Sequence, residues 1–220
     1  MSGEPGDLLA LLRPSPPEMT VLGVGAVLLR GFASARAHEL LSALGPVLAA
    51  APWRHMEVPG GHRMSVAMSN CGRLGWVADR SGYHYAALDP QTGAAWPPTP
   101  EALLALAVAA AEAGGFGGFV PDCCLINRYA PGARLSLHQD RDERDFSQPI
   151  VSVSLGLPAR FLWGGLRRSD RPRRIRLEHG DVVVWGGGAR LTFHGIEPLA
   201  EGEHPATGAC RINLTFRKAA

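Results

Sequence analysis

From Cys123 onward, apolar and polar residues alternate in short runs broken by glycine, proline and charged turns. Side chains on a strand point to its two faces in turn, so a period of two marks a half-buried strand. The pattern predicts strands at 123–129, 133–138, 150–156, 160–163, 173–178, 181–185, 191–195 and 209–217. Eight short strands with turn residues between them have to close on themselves or stack as two layers to hide their edges. Helical spacing comes only before them. Ser34 can cap a helix to about Ala50, with Leu40, Leu41, Leu44, Val47 and Leu48 on one side. Thr99-Pro100-Glu101 reads as cap, first-turn proline and first-turn acid of a second helix, ended by Gly114-Gly115. Val21–Leu29 suits a strand. The expected fold class is mainly β with flanking helices, a jelly roll backed by them.

The length of 220 residues suits one domain, and 46% apolar residues suffice for a core. Residues 1–19 hold several prolines and few large apolar side chains, which reads as a mobile arm ahead of a single domain over 20–220. Residues 52–98 look irregular, with turns at Pro59-Gly60-Gly61 and Pro97-Pro98, yet carry Met64, Met68, Trp76, Tyr83 and Tyr85. A long loop-rich stretch holding aromatics points to function. Cys71, Cys123, Cys124 and Cys210 form no CxxC pair, so reduced thiols in a cytoplasmic protein are expected. The N-terminus shows no basic lead-in to its short apolar run Leu8–Leu12, and Leu103–Ala111 is far too short for a membrane span. The formal net charge is +2, so affinity for nucleic acid has to come from local patches.

His138-Gln139-Asp140 is the densest chemical signal. Residues two apart on a strand share a face, so both side chains can meet one ion. His194, after the strand-like run to Trp185, is the best third ligand. Two histidines and one carboxylate on one side of an ion leave three adjacent positions open, the arrangement of non-haem Fe(II) oxygenases. Asp142, two residues further on, competes for the carboxylate role, and a zinc hydrolase uses the same ligand types. The run Arg211–Arg217 alternates without error: Arg211, Asn213, Thr215 and Arg217 share one face, and Ile212, Leu214 and Phe216 the other. On an ordinary amphipathic strand the two arginines would stand in solvent; on an inward face they need anions, and a dicarboxylate satisfies both. Asn127 and Tyr129 lie on one face of a neighbouring run and can complete such a cradle.

Leu125-Ile126-Asn127-Arg128-Tyr129-Ala130-Pro131-Gly132, Leu135-Ser136-Leu137-His138-Gln139-Asp140, Gly180-Asp181-Val182-Val183-Val184-Trp185-Gly186-Gly187, His194-Gly195-Ile196 and Arg211–Arg217 together resemble the core blocks of the AlkB family of oxidative demethylases, above all its bacterial members. The resemblance runs in order over about 20–218. It implies a double-stranded β-helix with a catalytic core over 120–218 and a nucleotide-recognition lid over 52–98. It implies His138, Asp140 and His194 as catalytic ligands of Fe(II). It further implies that Asn127, Tyr129, Arg211, Asn213, Thr215 and Arg217 hold 2-oxoglutarate, with O2 as the other co-substrate. Met68, Trp76, Tyr83, His84, Tyr85, Asp142, Glu143 and Arg168 then fall near the substrate nucleotide, with Ser152 as a weaker candidate for the pocket wall. Val58 and His62 stand where the family leads one to expect Thr and Tyr, which puts lid contacts in question rather than the chemistry.

The implied reaction is removal of N-alkyl groups from bases such as 1-methyladenine and 3-methylcytosine, with release of succinate, CO2 and formaldehyde. A base within a duplex cannot reach such a site, so single-stranded or flipped-out alkylated DNA or RNA is the expected partner of a monomer that needs no membrane. The stretch 160–176 holds Arg160, Arg167, Arg168, Arg171, Arg173, Arg174 and Arg176 against one acid, Asp170, and can track phosphates.

Overall fold

The structure is a computed structural model, and it describes residues 18–220. In chain order it contains β1 (Met19–Gly23), β2 (Ala26–Leu29), a 3-10 turn (Ser34–Arg36), α1 (Ala37–Ala50), β3 (Ala67–Gly72), β4 (Gly75–Asp79), β5 (Gly82–Ala86), α2 (Glu101–Ala113), β6 (Cys123–Tyr129) and β7 (Leu135–His138). Then follow β8 (Ile150–Gly156), β9 (Ala159–Trp163), β10 (Arg173–Leu177), β11 (Val182–Trp185), a second 3-10 turn (Gly187–Ala189), β12 (His194–Ile196) and β13 (Arg211–Arg217). The mobile arm expected over 1–19 lies outside the described residues, apart from its last two, and Met19 already begins β1.

Two antiparallel sheets face each other. The larger has the order β1-β2-β11-β8-β13-β6-β3, and the smaller β10-β9-β12-β7. From β6 on, the chain crosses between them repeatedly, which makes the double-stranded β-helix. β13 is an interior strand of the larger sheet, paired with β6 over Arg211↔Tyr129 to Arg217↔Cys123 and with β8 over Arg211↔Gly156 to Phe216↔Val151. Its alternation now has a cause. Ile212, Leu214 and Phe216 pack into the outer core with Leu40, Leu44, Leu103 and Leu106 of the two helices. Burying each such side chain stabilises the fold by about 1.5–3 kcal/mol. The other face of the sheet looks at the smaller sheet, where Leu125, Ile150, Phe161, Trp163, Val183 and Trp185 form an inner core. Arg211, Asn213, Thr215 and Arg217 occupy positions on that side and are nonetheless buried.

Several local expectations change. Val21–Leu29 is a hairpin rather than one strand: Gly25 turns with φ +77°, and a Cβ there would lie 2.4 Å from the Gly186 carbonyl oxygen. Ser34 does not cap α1; its hydroxyl donates to the His179 carbonyl (3.2 Å), and a 3-10 turn leads into the helix. In α2 the cap position is Pro100 itself, whose carbonyl accepts from Leu103 and Leu104 (3.0 and 3.1 Å), and Thr99 stays outside. The strand expected over 191–195 starts only at His194, because Thr192 closes a turn on the Ala189 carbonyl and Phe193 donates to Gly165. The stretch 52–98, irregular by sequence, contains three strands: β3 extends the larger sheet beyond β6, and β4 with β5 forms a hairpin paired with nothing else. All four cysteines are free and buried. Among the described residues no helix is long and apolar enough to cross a membrane.

Candidate metal centre and its pocket

β7 and β12 are neighbours in the smaller sheet, and their register sets His194 directly opposite His138. The two rings lie 4.4 Å apart between centroids. Asp140 enters just past the end of β7, with its carboxylate 3.6 Å from Nε2 of His138 and 3.9 Å from Nε2 of His194. Ligand atoms of the three residues all lie within 4.8 Å of one another. Each ring turns its Nδ1 to a carbonyl two residues back, Ser136 for His138 (2.8 Å) and Thr192 for His194 (2.9 Å). A proton on Nδ1 donates there, so the Nε2 lone pairs are free to face an ion. Burial lowers the His194 imidazole to about 4, with the neighbouring His138 ring adding to the effect, so it stays neutral and ready to ligate. Burial alone would raise the Asp140 carboxyl. The Arg217 guanidinium beside it and the two imidazoles instead hold it well below the usual carboxylate range. Asp142, the competing carboxylate, is exposed and accepts a hydrogen bond from Trp76 Nε1 (2.9 Å).

Beside this triad opens a cavity with about 670 Å³ of empty space, part of it continuous with bulk solvent. Its floor is the inner face of β6, β13 and β8. Asn127 donates to Asn213 Oδ1 (3.2 Å), Thr215 donates to the same oxygen (3.0 Å), and Asn213 donates to the Ser152 hydroxyl (2.8 Å). Arg211 donates to Ser154 Oγ (2.9 Å) and lies 5.0 Å from the Tyr129 ring centre. Its Nε and Nη1, and Nη1 of Arg217, are buried without a partner among the described residues. Burial lowers the Arg211 pKa, with Tyr129 opposing the shift. A cation this deep with two idle donors is costly unless an anion joins it. The pocket therefore fits a small dicarboxylate, and the two-histidine, one-carboxylate set fits Fe(II).

The sequence profile of the 2OG-Fe(II) oxygenase superfamily matches residues 25–217. The alpha-ketoglutarate-dependent dioxygenase AlkB of Salmonella typhimurium is 57% identical, over 97% of this chain and 99% of its own length. This chain belongs to the AlkB family. AlkB of Escherichia coli is 55% identical over 96% of this chain and 98% of its own. A mouse nucleic acid dioxygenase, ALKBH1, is 37% identical over 60% of this chain and 34% of its own. The solved structure of OsALKBH1 superposes with a TM-score of 0.80 at 28% identity, covering 91% of this chain and all of that one. As a member of the superfamily, the chain is an Fe(II)- and 2-oxoglutarate-dependent dioxygenase that uses O2.

The AlkB-family chain places the remaining candidates unevenly. Met68 and Trp76 line the cavity. Trp76 stacks on Tyr83 at 5.6 Å with the rings 13° apart. Trp76 pairs with Tyr85 across the hairpin and Ala78 with Tyr83, so these share a face, while His84 and Val77 point to the other side. His84 is thus exposed and away from the cavity. Tyr85 and Glu143 are turned inward: the Tyr85 hydroxyl donates to Glu143 Oε1 (2.6 Å), and Glu143 is buried. Arg168 is exposed, its guanidinium donating to the Leu137 carbonyl next to His138 (2.8 Å). Ser152 lines the floor of the cavity. Sequence reasoning missed Arg190, which is 3% exposed and tied to the loop of Asp140. A lone arginine in Gly188-Ala189-Arg190-Leu191 carries no periodic or motif signal that could have singled it out.

Proposed function

We propose that this dioxygenase removes alkyl groups from N-alkylated bases, such as 1-methyladenine and 3-methylcytosine, in single-stranded DNA or RNA, as a direct-reversal repair enzyme. The observation that carries the reading is Trp76 on the cavity wall, stacked on Tyr83 and hydrogen-bonded to the exposed Asp142 carboxylate. An aromatic face and a negative charge suit a flat cationic base. Relatives named as AlkB and as nucleic acid dioxygenase support the substrate class. A base has to leave its stack to enter such a cavity, and one whose pairing edge is alkylated leaves at least cost.

In this reading His138, Asp140 and His194 hold Fe(II), while Arg211 and Arg217 take the charges of 2-oxoglutarate, aided by Asn127, Tyr129, Asn213 and Thr215. Bound there, Fe(II) and 2-oxoglutarate, which leaves as succinate and CO2, supply with O2 the oxidation of the alkyl carbon. The chain's own residues orient and enclose. Arg217 Nε fixes the Asp140 carboxylate at 2.9 Å. Leu125, Phe161 and Trp185 wall the cavity with apolar surface that excludes water. Residues 52–98 act as the recognition lid, with Trp76 and Tyr83 stacking on the base, Met68 beneath it and Arg168 toward the strand. Once hydroxylated, an N-methyl group is a hemiaminal and falls apart to formaldehyde and the unmodified base. The four buried free thiols support a cytoplasmic protein, acting as a monomer away from membranes.

The test is formaldehyde release from oligonucleotides carrying one lesion each, supplied with Fe(II), 2-oxoglutarate and O2. Release that falls to background in Asp140→Ala and in His194→Ala is expected. Wild-type activity in either variant, or none in the wild type on any lesion, sinks the proposal.

A further inference from the structure

The loop 139–149 carries Asp140, Asp142 and Glu143 and belongs to no sheet. One buried guanidinium ties it at three points. Arg190 donates from Nη1 to the Asp140 carbonyl (2.8 Å), from Nε to the Gln148 carbonyl (3.1 Å) and from Nη2 to the Glu143 carboxylate (2.9 Å). Glu143 passes the contact on in two directions. Its Oε1 takes the Tyr85 hydroxyl of β5 at 2.6 Å and lies 3.4 Å from Arg217 Nε. Arg217 in turn donates to Asp140. Charges therefore alternate along a buried line of Arg190, Glu143, Arg217 and Asp140, all at 8% exposure or less.

We infer that Arg190 is a positioning residue of the reaction, acting through Glu143 and Arg217 on the Asp140 carboxylate and on the 2-oxoglutarate cradle. Arg217 stands between two carboxylates and is shared. Arg190 neutralises Glu143, and this leaves Arg217 committed to Asp140. Without Arg190, Glu143 holds an uncompensated buried charge and draws Arg217 toward itself, because attraction between opposite charges is strong in a poorly polarisable interior and Arg217 is then the one guanidinium left beside that carboxylate among the described residues. The same loss frees the Asp140 and Gln148 carbonyls, so the loop relaxes at the residue that faces the triad. Glu143, grouped by sequence with the substrate contacts, is a link in this line, and Tyr85 joins the β4–β5 hairpin to it. The inference rests on the proposed roles of Asp140 and Arg217.

The test is an anaerobic titration of the full chain with Fe(II) and 2-oxoglutarate, read by the visible charge-transfer absorption of the bound pair, alongside thermal melting of the metal-free protein. Arg190→Gln and Glu143→Gln are each expected to weaken 2-oxoglutarate binding by about tenfold or more. The double variant Arg190→Gln/Glu143→Gln is expected to bind better than Arg190→Gln alone, because charge balance around Arg217 returns. A residue that served folding alone would lower the melting temperature and leave 2-oxoglutarate binding at its wild-type value; that result overturns the inference, as does a double variant no better than Arg190→Gln. If Arg190→Gln does not fold, Arg190→Lys decides. It keeps the charge but has one donor group for three acceptors, so binding weakened severalfold supports the inference and wild-type binding refutes it. A wild-type protein that develops no absorption would count against the assigned roles instead.

Discussion

Arg211 is 1% exposed with two of its guanidinium nitrogens unpartnered among the described residues, so without an anion beside it the side chain is destabilising. Arg211→Met, without 2-oxoglutarate, is expected to melt at or above the wild-type temperature, since an unpaired buried charge gives way to an apolar chain. With 2-oxoglutarate at about a hundred times its dissociation constant the order reverses, because the wild type gains about 2.7 kcal/mol that the variant does not. Melting curves with and without the keto-acid check both halves; a variant stabilised as much as the wild type refutes the cradle. Asp142 offers a finer experiment. Asp142→Asn still accepts from Trp76 Nε1 but carries no charge, so the 2.9 Å contact and the electrostatics separate. The preference for 1-methyladenine and 3-methylcytosine over neutral 3-methylthymine is expected to shrink roughly fivefold, about 1 kcal/mol at so exposed a carboxylate. Unaltered lesion preference in formaldehyde release would remove Asp142 from recognition. At this scale strand alternation made Arg211, Asn213, Thr215 and Arg217 legible as one face, whereas Asp140 lies just past the end of β7 and His194 was singled out by its place after a strand-like run rather than by a period. Arg190 and the inward turn of Glu143 stayed hidden, since they depend on where a loop without periodicity folds back.

β7 and β12 have to approach closely for His138 and His194 to face one ion, and Gly195 permits it. A Cβ there would lie 2.7 Å from the Leu135 carbonyl oxygen and 3.1 Å from the Ser136 carbonyl carbon, closer than packed atoms allow. Gly195→Ala is expected to part the two strands and weaken Fe(II) binding by about tenfold or more, measured by titration in the presence of 2-oxoglutarate. Iron affinity unchanged from wild type would mean that the strands yield without moving the ligands. The elements themselves were legible to different degrees. β6 and β8 begin and end where the sequence predicts, because turn residues bound them: Pro121-Asp122 and Pro131-Gly132 around β6, Pro149 and Pro158 around β8. The helix starts were misread, because docking of Ser34 on the His179 carbonyl outweighed its capping tendency. β3, β4 and β5 were unreadable: β3 is buried at nearly every position, and β4 and β5 pair only with each other, so no steady period marks them.

Across the whole molecule a formal charge of +2 provides little long-range attraction, and the arginine-rich stretch is less basic than it reads. Arg160 and Arg174 share Glu197, and Arg176 pairs with Glu178. Arg167, Arg168, Arg171 and Arg173 remain exposed without a carboxylate partner among the described residues. If all four meet phosphates of a single strand, the logarithm of affinity against the logarithm of salt concentration is expected to slope no more steeply than about −3. Fluorescence anisotropy of a labelled oligonucleotide over a sodium chloride series measures it, and a slope near −5 would mean that the internal ion pairs open on binding. The self-paired β4–β5 hairpin has a bearing on descent. Residues can be inserted or lost at its Arg80-Ser81 turn without shifting the register of any strand that carries His138, His194 or Arg211. If the hairpin meets the base as proposed, the tip of this small ribbon can vary while the strands that carry the triad and the cradle keep their pairing, Tyr85 on β5 being the position where the two remain joined.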